Sequence, residues 1–291
     1  MLEIKRVSEC TIEECVEAWN KGFEGYVFDM TTTPEVFAKR AEIEDLSPDL
    51  SVVAFEEGQP VGLVRNGIRN QDGMKISWNG GTGVAASMRG KGVGKKLMQS
   101  TLEILKEAGI HRATLEAVSE NHQAIELYKR MGYTVTDEVH FLRLNGAVDL
   151  SLPSEERVSI ASVTPEQTSE LPFYRHDFPW QTQWQSVRDG EALLALDDKE
   201  KPVGYAYFRK TVNGEGVHAA TVLYQCETAP DASNREMIAQ QLINHVFKGF
   251  TDTISRTAVN IPVTKNKVTY EILRNLGFEV ATKQVFMIKD L

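Results

Sequence analysis

Three cysteines in 291 residues are too few, and odd in number, for a disulfide framework, and Cys10, Cys15 and Cys226 show no metal-ligand spacing. They read as ordinary reduced residues, and no metal site is expected. Long apolar runs are also missing: none approaches the roughly 18–20 residues that cross a bilayer. Residues 2–7, Leu-Glu-Ile-Lys-Arg-Val, alternate like a first strand and lack the apolar core of a signal peptide. A cytoplasmic protein that engages no membrane is the expectation. Positive charge is in short supply, with 32 Lys and Arg against 41 Asp and Glu and a net charge of −9, which opposes nucleic-acid binding. The same acidity weakly suits an amine or other cationic partner. No Gly-Lys-Ser/Thr follows a glycine-rich turn, so a Walker A loop is excluded.

The length allows two domains of about 100–200 residues, each with its own core. In the first half, strand signals cover 2–7, 51–56, 60–69, 74–84, 112–118 and 134–144, and helical ones 12–22, 34–43, 92–108 and 122–131. Ile12, Cys15, Val16 and Trp19 share a face at helical spacing. Thr33 and Pro34 suit a helix N-cap and first position. Gly146, Pro153 and Ser154 mark 147–156 as a linker. Beyond it the order repeats, with strands near 158–163, 192–196, 202–209, 217–227, 257–261 and 279–288. An aromatic-rich helical region lies before the second of these, and helices cover 234–247 and 267–276. A shift of 145 takes Arg89 to Asn234, Gly92 to Met237, Asn121 to Asn266 and Gly132 to Gly277. Residues 1–146 and 157–291 therefore read as copies of one unit.

The segment Arg89-Gly90-Lys91-Gly92-Val93-Gly94 follows a strand and opens a helix. Glycines allow close backbone approach, successive N–H groups converge there, and the helix dipole favours an anion. Together with the flanking residues it resembles the coenzyme A motif R/Q-x-x-G-x-G/A of the GNAT acetyltransferase superfamily. About thirty residues on, Leu115-Glu116-Ala117 to Asn121, Ala124, Leu127-Tyr128 and Gly132-Tyr133 is similar to that family's second signature, and the whole chain resembles its tandem members.

The resemblance implies an α/β (α+β) fold of two GNAT-like domains, each a mixed, mainly antiparallel sheet flanked by helices. It implies acetyl-coenzyme A as donor and direct transfer to a primary amine, on either a small molecule or a peptide N-terminus, by a monomer or homodimer. The backbone of Gly83, Val84 and Ala86 would hold the pantetheine arm, and the amides of Arg89, Gly90, Lys91, Gly92, Val93 and Gly94 the diphosphate. Asn121 would cap its helix, touch the cofactor, or both. Tyr128 would protonate the departing thiolate, with core packing as the alternative, and Glu116 or a water would take the amine's proton. Glu24, Tyr26 and Asp29 are substrate-side candidates or surface residues, while His122 and His140 read as surface histidines. At the 145 shift the second copy has Asn234-Arg235-Glu236-Met237-Ile238-Ala239, Ile261 and Leu273 in place of the loop, Glu116 and Tyr128, so a non-catalytic role is expected there. Its aromatics Phe173, Tyr174, His176, Phe178, Trp180 and Trp184 read either as core and domain-interface packing or as a wall of the acceptor pocket or a partner surface. An acyl-coenzyme A sensor without turnover, or transfer of another acyl group, are the alternatives.

Overall fold

A computed structural model describes residues 2–146, 158–247 and 254–291; the expected linker, 147–156, lies outside them. The chain divides into two compact units, Met1–Thr136 with Phe286–Leu291, and Asp137–Val285.

In the first unit, strands β1 (Leu2–Arg6), β2 (Leu46–Glu56), β3 (Gln59–Gln71) and β4 (Met74–Val84) pair antiparallel in that order. β5 (Arg112–Val118) joins β4 in parallel. The end of β12 (Glu279–Asp290) and the start of β6 (Thr134–Leu144) follow β5. Helix α1 (Ile12–Gly22) starts at a capping box in which the Thr11 hydroxyl accepts from Glu14 N and the Glu14 carboxylate accepts from Thr11 N. Its buried face, Cys15, Ala18, Trp19 and Gly22, packs with Phe37 of α2 (Pro34–Ile43) and with Val53, Phe55 and Leu63. Burial of each large side chain contributes about 1.5–3 kcal/mol. Strand β2 begins five residues earlier than expected, across Pro48. The pairing with β3 slips between Ser47 and Val52, and there Ser51 Oγ donates to Ser47 O (2.6 Å) and accepts from Asn66 N (2.9 Å). Those side-chain bonds continue the ladder past a residue that cannot donate.

The second unit orders β6 (from residue 137), β11 (Ser255–Pro262), β10 (His218–Thr228), β9 (Pro202–Val212), β8 (Glu191–Leu196) and β7 (Ser159–Val163). Helix α6 (Arg235–Phe247) and α7 (Lys267–Asn275) bury Ile238, Leu242, Ile243, Ile272 and Leu273 against it. The aromatic stretch is not the helical region expected. It holds only α5 (Pro165–Thr168) and two short 3-10 turns, Trp180–Thr182 and Trp184–Val187. Pro172 and Pro179 supply no N–H and interrupt any longer helix. Tyr174 instead stacks on Tyr205 at 5.7 Å, and Tyr205 on Tyr207 at 6.1 Å, as core.

Each unit contains one parallel pair followed by a bulge. β4 and β5 pair from Ile76↔Arg112 to Asn79↔Leu115, and β4 then bulges at Gly80. β10 and β11 pair from Ala220↔Ser255 to Leu223↔Ala258, and β10 bulges at Tyr224. The repeat is real in three dimensions, but its offset is not a uniform 145. It is 144 at the bulge, 143 on the fifth strand, 142 at the next helix start (α3, Val93–Glu107, against α6) and 145 from Asn121 to Asn266. The loop before α6 is therefore two residues shorter than its counterpart, and Glu116 corresponds to Val259 rather than Ile261.

Candidate active site

The site candidates of the first unit gather where β4 and β5 part. Register ends at Asn79↔Leu115, so Gly81–Val84 and Glu116–Val118 diverge and leave an open edge on each strand. The approach of α1 to this edge depends on glycine. A Cβ on Gly22 would lie 2.9 Å from the Cα and C of Gly83, inside any tolerable contact. The expected pantetheine strand, Gly83 and Val84, is thus clamped from behind by α1, with Ala86 exposed just beyond it.

At the mouth of the split lies the glycine loop. Gly90 and Gly92 have φ of +77° and +82°, and Gly92 is the N-cap of α3. Helices α1 and α2 carry Thr caps and α4 (His122–Arg130) an Asn cap, whereas α3 starts without a side-chain cap. Its first-turn amides, Val93, Gly94 and Lys95, have no intrahelical acceptor by geometry. Free amides at a helix start, together with the helix dipole, suit an anion. The amides of Arg89 and Lys91 close turns to Ala86 O (3.3 Å) and Met88 O (3.4 Å). The Arg89 guanidinium reaches Val84 O (2.9 Å), Gly22 O (3.2 Å) and Glu24 O (2.9 Å). It therefore ties the α1–α2 loop to the end of β4, a positioning task that the motif alone did not suggest. Lys91, Lys95 and Lys96 are exposed at the same rim.

Tyr128, on α4, is buried at the inner end of the split, and Tyr133 packs edge-on at 6.1 Å. Burial pushes its hydroxyl up to about 12, against a hydrogen bond to Thr82 that pulls the other way. The phenol is thus fully protonated at neutral pH, as a proton donor must be. Thr82 is held by Asn79, whose Nδ2 donates to Thr82 Oγ1 at 2.8 Å. Tyr26 reaches the same place from the α1–α2 loop. It is half-buried, bonded to the Asn121 side chain, and near Tyr128. Asn121 also caps α4, its Oδ1 accepting from Ala124 N at 3.2 Å. Motif matching identified Tyr128 and Asn121 but not Thr82; a hydroxyl two residues before Val84 on the motif strand was the available signal.

Glu116 sits on the diverging part of β5, half-buried, with Oε2 accepting from Trp78 Nε1 at 2.7 Å. This anchors the carboxylate against β4, another link invisible in the spacing of motifs. Glu24 and Asp29 are exposed, and Asp29 is turned onto its own loop, where the Thr31 amide lowers its carboxyl pKa. His122 is an exposed first residue of α4. His140 is not a surface histidine: it is buried in the second unit.

The equivalent split of the second unit is occupied by protein. Cys226, which matches Thr82, has its carbonyl bonded to Asn266 Nδ2 (3.2 Å) and Thr269 Oγ1 (2.7 Å). Their counterparts in the first unit are Asn121, which caps its helix instead, and Ala124, too short to reach. Glu227 stands where Gly83 does, buried between Arg175 and Arg235 at 4.0 Å each, and desolvation raises its carboxyl pKa to about 7. Gln225 Nε2, one residue before Cys226, donates to Thr182 O of the aromatic loop at 3.0 Å.

Among the described residues no cluster of His, Cys, Asp and Glu suits a metal, and no helix is long and apolar enough to cross a membrane. The model of the acetyltransferase (GNAT) family matches residues 12–133. Among curated proteins, the chain is 29% identical over 108 residues to N-alpha-acetyltransferase MAK3 of Arabidopsis thaliana, covering 35% of this chain and 53% of that protein. It is 28% identical over 103 residues to N-alpha-acetyltransferase 30 of Schizosaccharomyces pombe, covering 34% and 67%. The first of these matches spans only about half of the relative's length. Among solved structures, the fold is similar to a tandem GNAT protein from the clavulanic acid biosynthesis pathway, with TM-score 0.59, 14% identity and coverage of 100% of this chain and 98% of that one.

Proposed function

We propose a function from one premise: residues 12–133 belong to the acetyltransferase (GNAT) family, and the chain is an acyltransferase. In our reading, the domain at 1–146 transfers an acetyl group from acetyl-coenzyme A to a primary amine by direct attack, and the domain at 157–291 does not turn over. The observation that carries this is the contrast between the two splits. One is lined by backbone, Thr82 and a neutral Tyr128; the other has its carbonyl edge bonded to Asn266 and Thr269.

The chain's own residues would act as follows. The first-turn amides of α3 and the rim lysines hold the diphosphate, and the open edge of Gly83 and Val84 receives the pantetheine amides as an added strand would. Backbone donors near Val84 polarise the thioester carbonyl. Glu116, or a water it orders, takes the proton from the attacking amine, and Tyr128, steadied by Thr82, donates to the departing sulfur. The acceptor is a small amine or a peptide N-terminus, and the N-alpha-acetyltransferase relatives favour the peptide. Tyr26 and the α1–α2 loop face it.

The test is calorimetric titration of acetyl-coenzyme A, followed by an amine and peptide panel. One site per chain is expected. Tyr128→Phe keeps that binding and lowers kcat by about 10²-fold or more. Two binding sites would overturn the assignment of the second domain. Binding without turnover across the panel would leave a coenzyme A sensor in place of an enzyme.

A further inference from the structure

Outside the coenzyme A cleft, a second chain of reactive groups lies wholly within the second unit. His140, on β6 opposite Ile261 of β11, is 5% exposed. Its Nε2 lies 2.6 Å from Glu138 Oε1, and its Nδ1 lies 2.9 Å from the Tyr270 hydroxyl on α7. An ionised carboxylate only accepts hydrogen bonds, so in the neutral ring Nε2 carries the hydrogen and Nδ1 is left as acceptor. In that form the Tyr270 O–H donates to Nδ1. A hydroxyl on a base, and the base held by a third group, is the arrangement that activates oxygen nucleophiles. The Tyr270 ring is fixed edge-on to the imidazole at a centroid distance of 5.3 Å. Tyr270 is half-buried and the Glu138 side chain is 45% exposed, so the buried imidazole lies between two groups that each reach toward the surface.

We propose that Tyr270 is an activated nucleophile that takes acyl groups from activated esters and thioesters, with His140 as its base and Glu138 as a positioning residue. The Tyr270 oxygen bonds to the acyl carbon and the ester's C–O bond (or thioester's C–S bond) breaks. The phenolic proton passes to His140 Nδ1 and from there to the leaving alkoxide, phenolate or thiolate. No oxidant or metal is needed.

The probe is 4-nitrophenyl acetate with the full-length chain, read by nitrophenolate release and by peptide mass mapping. A burst of one equivalent is expected, with the acetyl group on Tyr270. Tyr270→Phe abolishes it. His140→Ala slows it by about 10²-fold, and added imidazole restores part of the rate. Glu138→Asp keeps more of the rate than Glu138→Gln, which a purely structural link would not require. Melting curves check folding; if the His140 variant fails to fold, Tyr270→Phe and the exposed Glu138 pair still decide. Acetyl groups spread over lysines, labelling of Tyr270 no faster than of other half-exposed tyrosines, or a burst indifferent to Glu138 and Tyr270 would overturn the proposal.

Discussion

Replacing Gly92 or Gly94 by alanine adds the same methyl group two residues apart, yet the expected outcomes differ. Gly92 is the left-handed N-cap of α3, at φ +82°, and a Cβ there meets nothing within 4 Å. Its whole cost is therefore backbone strain, about 1–2 kcal/mol. If the free loop keeps its turn, the strain appears in stability, as about 3–6 °C of Tm at about 3 °C per kcal/mol. If the loop relaxes, the amides are re-aimed and the strain appears in acetyl-coenzyme A affinity, as roughly 5–30-fold in Kd. The two losses must sum to about 1–2 kcal/mol however they divide. Gly94 lies within the helix, where alanine is better than glycine by about 0.5–1 kcal/mol. Its methyl would meet only Leu127 Cδ2 at 3.3 Å and Val84 Cγ2 at 3.7 Å, the first a flexible side-chain tip. Gly94→Ala should therefore leave Tm and Kd near wild type. Thermal melting and calorimetry on both variants measure the terms. Equal effects, or a Gly92→Ala sum below about 0.5 kcal/mol, would refute the assignment of Gly92 as the strained cap.

Glu116→Gln keeps an acceptor for Trp78 Nε1, so Tm should hold while kcat/KM falls at neutral pH; the deficit should shrink at alkaline pH, where the amine arrives deprotonated, and a uniform deficit would remove Glu116 as base. Tyr26→Phe should raise KM for the acceptor more than Kd for acetyl-coenzyme A, because the proposed function has Tyr26 facing the acceptor; a change in Kd with KM for the acceptor unaltered would place Tyr26 in cofactor binding alone. Glu227 has its pKa raised by desolvation from 4.5 to about 7, so the folded state holds the proton more tightly than the unfolded chain. Stability is then highest below about pH 4.5 as far as this group governs, and is lost as pH rises through 7, by on the order of 3 kcal/mol. Glu227→Gln should remove that loss, giving a higher Tm than wild type at about pH 8 and a similar one at about pH 5; parallel curves would show that Arg175 and Arg235 fully offset the charge.

The elements that carried strong local signals were legible. α1 and α2 occupy their expected spans because an amphipathic face and a Thr cap coincide at each. Local pattern failed where long-range contacts decide. The early start of β2 across Pro48 depends on Ser51 and Asn66, which lie on different strands. The aromatic segment before β8 has the composition of a packed helix, but its prolines and its bonds to Gln225 and Tyr205 make it a folded loop. In the site, Tyr128 and Asn121 were legible as motif positions. Trp78 beside Glu116 and Thr82 beside Tyr128 were not, since each pair joins separate elements.

The duplicated architecture shows which constraint outlasts which. Both units keep four parallel pairs and a bulge at matching positions, a geometry that leaves backbone groups unpaired past the last pair. Buried backbone groups need partners, so a split must be filled by a ligand or by the protein. In the second unit two substitutions at matched positions, Ala124 to Thr269 and Thr82 to Cys226, coincide with the second filling: Thr269 reaches the Cys226 carbonyl, and Asn266 gives up helix capping to join it. The first unit has the same asparagine, but here it caps α4 and carries Tyr26, and an alanine stands where the threonine would reach. Under the proposed function its open edge is left for an external strand-like ligand. The same reasoning makes Ala124→Thr the single change most apt to convert the first split toward the second. It should weaken acetyl-coenzyme A binding by roughly tenfold or more, the worth of one well-placed hydrogen bond that competes with the ligand, while leaving Tm unchanged or higher. A variant that binds as wild type would mean the split is held open by something other than the missing side chain.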